Sequence, residues 1–244
     1  MVYSSSMDLV EAFELHSPKG IQASLAAGAS PTALIDGKRP IDILIEMYTR
    51  SPQFAPCLRV LLDAGARVGD PLLEAVLLDD EAALRGIPDF SRKMSPVCAY
   101  TSCDGVTALH ICAEFNSIRC ARALIEAGAD VNARANVDAD GLGGQTPLFH
   151  ALNSNQNYCR PMMELLVEAG AELDVRLKGL VWGKTMPWET VLFDVTPFSY
   201  AQCGLYKQFH RREQDIYSNI DYLHRKRHGT PAPSRNVPNK YLAT

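Results

Sequence analysis

The sequence lacks both a long hydrophobic run and a strong charge of one sign. No apolar stretch approaches the ~18 residues expected of a membrane-spanning helix. The formal net charge is −4 over 244 residues, which gives no support to nucleic-acid binding. With 47% hydrophobic and 21% charged residues, the composition is that of a chain that folds around a core. We therefore expect a soluble protein that neither spans a membrane nor has nucleic acid as its main partner.

A secretory signal and a regular cysteine framework are also missing. The first residues, MVYSSSMDLVEAFELH, lack the basic start, the apolar middle and the small-residue cleavage site of a signal peptide. The seven cysteines are odd in number and irregularly spaced, which argues against a set of disulfides. We expect free thiols, a reducing compartment and a cytoplasmic location.

No phosphate-binding loop is indicated. GLGG at residues 141–144 is rich in glycine, but no buried strand precedes it and the lysine of a phosphate loop is absent. The segment is interpreted as a flexible hairpin tip, enlarged by the preceding ANVDAD.

What the sequence does contain is an internal repeat. Four segments that end in a Gly-Ala pair follow apolar patterns of helical spacing: LAAGAS, LDAGARV, IEAGADVNAR and VEAGAELDVR, with their glycines at Gly28, Gly65, Gly128 and Gly170. Three of the four are preceded by a helix-opening signal: RPID from Arg39, TALH from Thr107 and TPLF from Thr146. A fourth opening, TVLF from Thr190, has no Gly-Ala pair after it. A fixed period of a few tens of residues predicts stacked units.

Each unit is predicted to contain two helices. Thr107 is placed to cap the first backbone N–H groups of a helix, and a proline occupies the first helical position in other units. Apolar residues recur at helical spacing from Leu109 and again from Cys120, on either side of a short polar turn. Gly128 follows the second helix, where the left-handed conformation that ends a helix is easiest for glycine. The chain then leaves as an extended finger.

This pattern resembles the ankyrin repeat, a unit of about 33 residues with a turn and two helices. Residues 102–134 match it without a gap, and residues 142–176 match with about three extra residues between their helices, in NSNQNY. The resemblance implies an all-α solenoid with short β-hairpin-like fingers, about six units and atypical terminal caps. It would form one domain over residues 1–229, followed by a proline-containing extended tail at 230–244.

The outer units match less well. Residues 34–68 have Arg39 and Asp42 where the family has Thr and His, and residues 70–86 read as a truncated unit with a short second helix. Residues 7–30 and 188–229 are expected to be the N-terminal and C-terminal caps. A repeat stack needs such caps because its end units have no neighbour on one side.

Histidine and cysteine lie close together in the best-matched unit, which raises the question of a metal or catalytic site. A zinc site would need four converging ligands from Cys98, Cys103, His110 and Cys112, and Cys112 is predicted to point into the core. The resemblance gives His110 a structural role, in hydrogen bonds that tie neighbouring units together. A nucleophile formed by Cys159 with His150 has no spacing that supports it. We expect no cofactor, no metal and no enzyme activity, with an enzyme or metal protein kept as the alternative.

The C-terminal region is basic. Residues 205–244 contain eight Lys or Arg and three acids, in clusters that include HRR from His210 and HRKRH from His224. One interpretation is a surface for an acidic partner or RNA. The other, which we favour, is that the second cluster opposes the negative end of a helix that stops at Gly229.

The resemblance also implies a contact surface on the fingers and first helices, and hence an interaction scaffold with an unidentified protein partner. The candidate contact residues are Cys103, Asp104, Val106, Glu114, Phe115, Leu142, Gln145, Asn153, Ser154, Trp182 and Trp188. Phe115 and Trp182 are expected to anchor the partner, because aromatic residues are common at binding hot spots. The two tryptophans have a second interpretation, as cover for the end of the stack.

The structural interpretation of the cysteines predicts that metal removal has no effect. Treatment with a chelator should leave the melting temperature unchanged, because no ligand set would be lost. Calorimetry before and after chelation measures this, and a lower melting temperature after chelation would restore the metal alternative.

Overall fold

The computed structural model describes residues 8–47, 49–91, 94–95, 105–182, 190–203 and 213–232. Within these residues the chain forms twelve α-helices, one 3-10 helix and four strands. The helices are α1 (Leu9–Glu14), α2 (Pro18–Ala26), α3 (Pro40–Glu46), α4 (Phe54–Asp63), α5 (Pro71–Leu77), α6 (Glu81–Arg85), α7 (Ala108–Phe115), α8 (Ile118–Glu126), α9 (Pro147–Leu152), α10 (Arg160–Glu168), α11 (Pro197–Gln202) and α12 (Glu213–His228). The strands are β1 (Met94–Ser95), β2 (Val106–Thr107), β3 (Leu177–Trp182) and β4 (Thr190–Val195), and the 3-10 helix is Asn155–Asn157.

The helices form six consecutive pairs, and the pairs stack side by side. First helices contact first helices, as in α5 with α7 and α7 with α9, and second helices contact second helices, as in α6 with α8. Strands pair only locally and antiparallel, β1 with β2 and β3 with β4. The described part of the chain therefore has the helix-rich, short-stranded architecture that the sequence predicts.

One of the predicted helix openings is wrong. The TVLF pattern predicts a helix from Thr190, but Thr190–Val195 is strand β4. The alternation of Val191, Phe193 and Val195 has the period of a strand, and β-branched residues favour this conformation. The helix opens later, at Pro197, where the Thr196 side chain accepts a hydrogen bond from the Ser199 N–H. The last helix pair therefore begins with TPFS.

The extra residues in the fifth pair form the contact site for α12. They make the 3-10 turn, in which Gln156 and Asn157 have positive φ angles of 49° and 60°. The side-chain amides of Asn157 and Asn219 hydrogen-bond to each other twice, at 2.9 and 2.5 Å. Asn219 is fully buried, so the pair is sheltered from water. The insertion thus provides one of the polar contacts that position the C-terminal helix.

Equivalent leucines of the second helices fill the core. The leucine four residues before the closing glycine is fully buried in three pairs, at Leu61, Leu124 and Leu166. Leu165, the residue before Leu166, is only half-buried. Counting back from Gly170 gives the correct register.

Hydrogen bonds between side chain and backbone connect successive pairs. Asp79, after α5, accepts from the Cys120 N–H at 2.9 Å at the start of α8. Asn132 donates to the Gly170 carbonyl at 3.1 Å and accepts from the Glu172 N–H at 2.8 Å. Each bond crosses about 40 residues of sequence and joins one unit to the next.

His110 makes the bond that its resemblance-based role implied. Its Nδ1 accepts from the Thr107 N–H at 3.0 Å, so its Nε2–H donates to the Gln145 carbonyl at 3.0 Å. The ring is therefore neutral, with the proton on Nε2. Burial, with a smaller contribution from His150, lowers the pKa of His110 to about 3. Burial also lowers the pKa of His16 to about 4, with help from the Arg50 charge.

None of the helices in the described residues combines the length and the apolar character needed to cross a lipid bilayer.

We expect Leu124→Ala to destabilise the stack by about 2 to 5 kcal/mol, because it leaves a cavity in the core. Hydrogen exchange should show faster exchange beyond residues 102–134, because neighbouring pairs share this core. Leu15→Ala is the control, since Leu15 is 61% exposed and its removal should change the free energy of unfolding by less than about 0.5 kcal/mol. Exchange that increases only within residues 102–134 would argue against a shared core.

Stability should fall as the pH drops from 6.5 towards 4. Over this range His16 and His110 gain a proton when the chain unfolds but stay neutral in the fold, so each lowers the free energy of unfolding by up to about 1.4 kcal/mol per pH unit. In His110→Gln, unfolding near pH 5 should take up about one proton fewer than in the parent. Urea melts between pH 5 and 6 give this number, with His16→Gln as the matched variant. An unchanged pH slope in His110→Gln would show that His110 is protonated in the fold.

Candidate functional site

The exposed apolar side chains of the described residues are concentrated in the fingers. We define finger 1 as residues 34–39, finger 2 as residues 135–145 and finger 3 as strands β3 and β4. Five large hydrophobic side chains are exposed, and four of them belong to these fingers: Leu34 at 64%, Val137 at 62%, Val191 at 36% and Phe193 at 72%, with Leu15 at 61% outside them. These exposed apolar side chains make the fingers the candidate contact surface.

Finger 2 is an ordered hairpin loop. Its base is closed by the Ala135 N–H donating to the Gln145 carbonyl at 2.9 Å, and Val137 pairs with Gly143. At the tip, the Asp138 carboxylate accepts from the N–H groups of Asp140 and Leu142, both at 2.9 Å. The segment that the sequence suggested as a flexible tip therefore has a defined set of hydrogen bonds.

Glycine is required at two close contacts, one between the two sides of finger 2 and one between finger 2 and finger 3. At Gly143, with φ of 114°, a Cβ would lie 2.5 Å from the Asn136 carbonyl oxygen. At Gly179 in β3, a Cβ would lie 2.8 Å from Leu142 Cδ2 and 3.5 Å from Phe193 Cδ1. The Gly143 N–H donates to the Gly179 carbonyl at 2.8 Å. The two fingers are therefore in direct contact, with Leu142 and Phe193 meeting over Gly179.

A groove of about 480 Å³ lies where fingers 2 and 3 adjoin. Its lining residues come from both fingers and the residues just before them: Arg134, Ala135, Asn136, Val137, Gly141, Gly143, Gly144, Arg176, Leu177 and Lys178. The charged residues in this lining, two arginines and a lysine, are all basic. The groove is therefore a positively charged recess with an apolar wall.

The three cations of the groove differ in their partners. Arg176 forms an ion pair with Asp194, and both side chains are more than 60% exposed. Lys178 donates from Nζ to the Asp140 carbonyl at 2.5 Å. Arg134 is exposed and has no hydrogen bond or ion pair with any residue that the structure describes. Its guanidinium is therefore available to a ligand.

Several predicted contact residues point inward, so the expectation that they face a partner is wrong. Val106 is completely buried, and Gln145, Ser154 and Phe115 are 3%, 5% and 7% exposed. Ser154 accepts from the Cys159 N–H at 2.8 Å and so positions the start of α10. Val106 lies in β2, Gln145 at the base of finger 2, Phe115 at the end of α7 and Ser154 in the turn before α10.

Phe115 fills the interior of the stack. Its ring centroid lies 4.6 Å from that of Phe54 and 4.3 Å from the Arg50 guanidinium carbon. The sequence predicts that Phe115 faces a partner, but its ring is packed between two units. Phe115 therefore cannot anchor a partner.

Glu114 is the centre of a nearly buried ionic network. Its carboxylate accepts from Arg50 Nε and from His150 Nδ1, each at 3.1 Å, and its side chain is 13% exposed. Burial raises the pKa of Glu114, but the Arg50 charge and the His150 hydrogen bond outweigh this and lower it overall. Arg50 belongs to the second pair, Glu114 to the fourth and His150 to the fifth, so the network joins three units.

The remaining predicted contacts are partly exposed or lie elsewhere. Leu142 and Asn153 are half-buried, and Leu142 borders finger 3 as described above. Trp182 is the last residue of β3. Cys103, Asp104 and Trp188 lie outside the described residues.

The cysteine and histidine pair considered for catalysis is an inert part of the core. Cys159 is fully buried, its Sγ lies 3.6 Å from the Glu114 carbonyl, and His150 is bonded to Glu114. Burial and the nearby Glu114 charge raise the pKa of the Cys159 thiol to about 12. A thiol with so high a pKa is a poor nucleophile at neutral pH. This geometry gives no support to a Cys159–His150 mechanism.

The described residues contain no group of three or more His, Cys, Asp or Glu arranged to hold a metal ion. Of the four ligands considered for zinc, His110 is bonded to Thr107 and Gln145, and Cys112 is fully buried. Burial raises the pKa of Cys112 well above its usual range. Cys98 and Cys103 lie outside the described residues.

The second basic cluster of the C-terminal region is part of α12 and pairs with acids. Arg225 bonds Asp221 at 2.7 Å, Lys226 lies 3.8 Å from Glu168, and Arg227 pairs with Asp174. Glu168 ends α10 and Asp174 follows it, so two of these pairs attach α12 to the preceding unit. This agrees with the structural interpretation of HRKRH, and the first cluster, HRR, lies outside the described residues.

Sequence reasoning did not select Val137, Phe193 or the basic residues of the groove. The period-two alternation through Val191, Phe193 and Val195 could have identified a strand, in which Val191 and Phe193 are exposed and Val195 is buried. Arg134 is about 40 residues from Arg176 and Lys178 in the sequence. The contact between fingers 2 and 3 brings these three basic residues into one groove.

Three comparisons with known proteins were made, and the family model carries the result. A family model described as ankyrin repeats, in three copies, matches residues 55–177, which is half of the chain. The crystal structure of the human ASB11 ankyrin repeat domain is similar at 24% identity over 69% of this chain and 71% of that chain, with a TM-score of 0.33. A search of curated proteins finds no match. On the strength of the family match and the stacked helix pairs, the chain belongs to the ankyrin repeat family.

Proposed function

We propose that this protein is a non-catalytic interaction scaffold that binds a protein partner through its finger tips and concave face. Ankyrin repeats generally mediate protein–protein interactions, and their domains are typically non-catalytic. The observation that carries the proposal is the concentration of exposed large apolar side chains in the fingers. Within the described core, the histidines and cysteines considered for chemistry are occupied by packing and hydrogen bonds between units.

The anchors in this proposal are Val137 on finger 2 and Phe193 on finger 3. Phe193 is the most exposed large hydrophobic side chain of the described residues, and Leu142 lies beside it over Gly179. Burying such a side chain at an interface stabilises a complex by removing apolar area from water. Trp182 stays a candidate anchor at the end of β3.

We also propose a cytoplasmic location. The five cysteines of the described residues are free thiols, four of them buried. This supports a reducing compartment, where thiols persist without pairing.

The test begins with a pulldown from the native cell using the whole chain, followed by affinity measurements on the recovered partner. Phe193→Ala and Val137→Ala should each keep the parent melting temperature, because their side chains lie largely in solvent. At least one should weaken binding by about 30-fold, the equivalent of a hot spot of ~2 kcal/mol. Trp182→Ala is measured alongside them.

Leu15→Ala is the matched control, because Leu15 is as exposed as Val137 but lies outside the fingers. It should leave the affinity unchanged. Full binding by all finger variants, or loss of binding in Leu15→Ala alone, would contradict the proposed surface.

A further inference from the structure

We propose that the groove between fingers 2 and 3 binds an extended peptide segment in which an acidic side chain stands next to an apolar one. This inference rests on the proposed function and narrows it, since it names the chemistry of the partner segment and the residues that recognise it. The groove is formed by two fingers whose contact is fixed by the hydrogen bond from Gly143 to Gly179. It therefore exists before a partner arrives.

The charge of the groove selects an acidic group. Arg134, Arg176 and Lys178 all line it, and no carboxylate belongs to its lining. Arg134 has no partner among the described residues, so a ligand carboxylate would not have to displace an existing bond. A guanidinium can give two parallel hydrogen bonds to a carboxylate, which adds direction to the attraction.

The shape of the groove suits a peptide chain. Gly141, Gly143 and Gly144 line the groove without side chains of their own, and the positions that a Cβ would take there are occupied by Lys178, Asn136 and Val137. Val137 is on its rim with 62% exposure and Leu177 lies buried in its lining, which provides a place for an apolar side chain. A volume of about 480 Å³ is within the range of binding sites for small ligands and is enough for a few side chains.

The surroundings of the groove disfavour a nucleic acid. The tip of finger 2 carries the carboxylates of Asp138 and Asp140, and Asp194 accompanies Arg176. A phosphate backbone that followed the three cations would reach these carboxylates and be repelled by them. The net charge of −4 on the chain adds to this repulsion. A single carboxylate or a pair of them fits within the basic recess without reaching the acidic rim.

The experiment is a selection from a display library of random dodecapeptides on the whole protein. Recovered peptides should share an Asp or Glu beside a large apolar residue. A synthetic copy of the best peptide should bind the parent, and changing its acid to the corresponding amide should weaken binding by about 10-fold or more, as expected when a charge-assisted bond is lost. The affinity should also fall as NaCl is raised.

Arg134→Gln is the decisive variant, because it removes a charge that the described fold does not use. It should keep the parent melting temperature and lower the affinity for the acidic peptide by about 10-fold or more. Arg122→Gln is the matched control, since Arg122 is exposed on α8 and lies outside the groove lining. It makes the same change of charge and should leave peptide affinity unchanged. Lys178→Gln provides a second variant, at the groove cation that lies in β3.

Three results would overturn the inference: selected peptides without acids, equal peptide binding by Arg134→Gln and the parent, or an oligouridine probe that binds more tightly than the peptide and loses affinity in Arg134→Gln. The cellular partner separates this failure from that of the proposed function. If Phe193→Ala weakens that partner but Arg134→Gln does not, the finger surface stands and the acidic segment is wrong. If neither Arg134→Gln nor any of the finger variants Phe193→Ala, Val137→Ala and Trp182→Ala weakens it, both proposals fail.

Discussion

The constraint on which this structure depends is that none of its short helices can be stable alone. Apart from α12, the described helices are between five and ten residues long, which is below the length at which isolated helices are stable in water. Each must cover its apolar face with the next pair. This contact is repeated along the stack by the buried leucines Leu61, Leu124 and Leu166. The spacing of neighbouring pairs is set by the hydrogen bonds of Asp79, His110 and Asn132.

The polar interior of the stack follows from the same constraint. Turns between helices bring backbone groups and long side chains to the junction of successive pairs, where they need partners. The Glu114 carboxylate is the hydrogen-bond partner of both Arg50 and His150. A buried network of this kind is costly to break, because removing one member leaves a charge without its partner. It adds little net stability over apolar packing, but it favours one arrangement of three units over others.

The sequence was most informative where a local signal determines a local structure. The glycines after the second helices and the TALH opening placed helices in the central units, and the role of His110 came from its resemblance to the repeat. The reading was wrong at Thr190, where a helix-like opening lies in a strand, and at Phe115, whose burial depends on Arg50 and Phe54 more than 60 residues away. The basic groove could not be predicted either, because it exists only where residues near 134 and near 177 meet. Long-range contacts, more than local propensity, limited the prediction of the site.

The amide pair between Asn157 and Asn219 has a consequence for how the C-terminal helix is aligned. Apolar contacts tolerate sliding, because one methyl group packs almost as well as the next. Two carboxamides that each give and accept a bond fit in only one relative position, and a shift of α12 by one residue would carry Asn219 about 100° around the helix axis. The buried amide of Asn219 would then lose both of its bonds to Asn157. The insertion in the fifth pair thus fixes the register of α12 against the preceding unit. Because the two segments are matched to each other, neither could be replaced by the corresponding segment of another repeat without losing the amide pair.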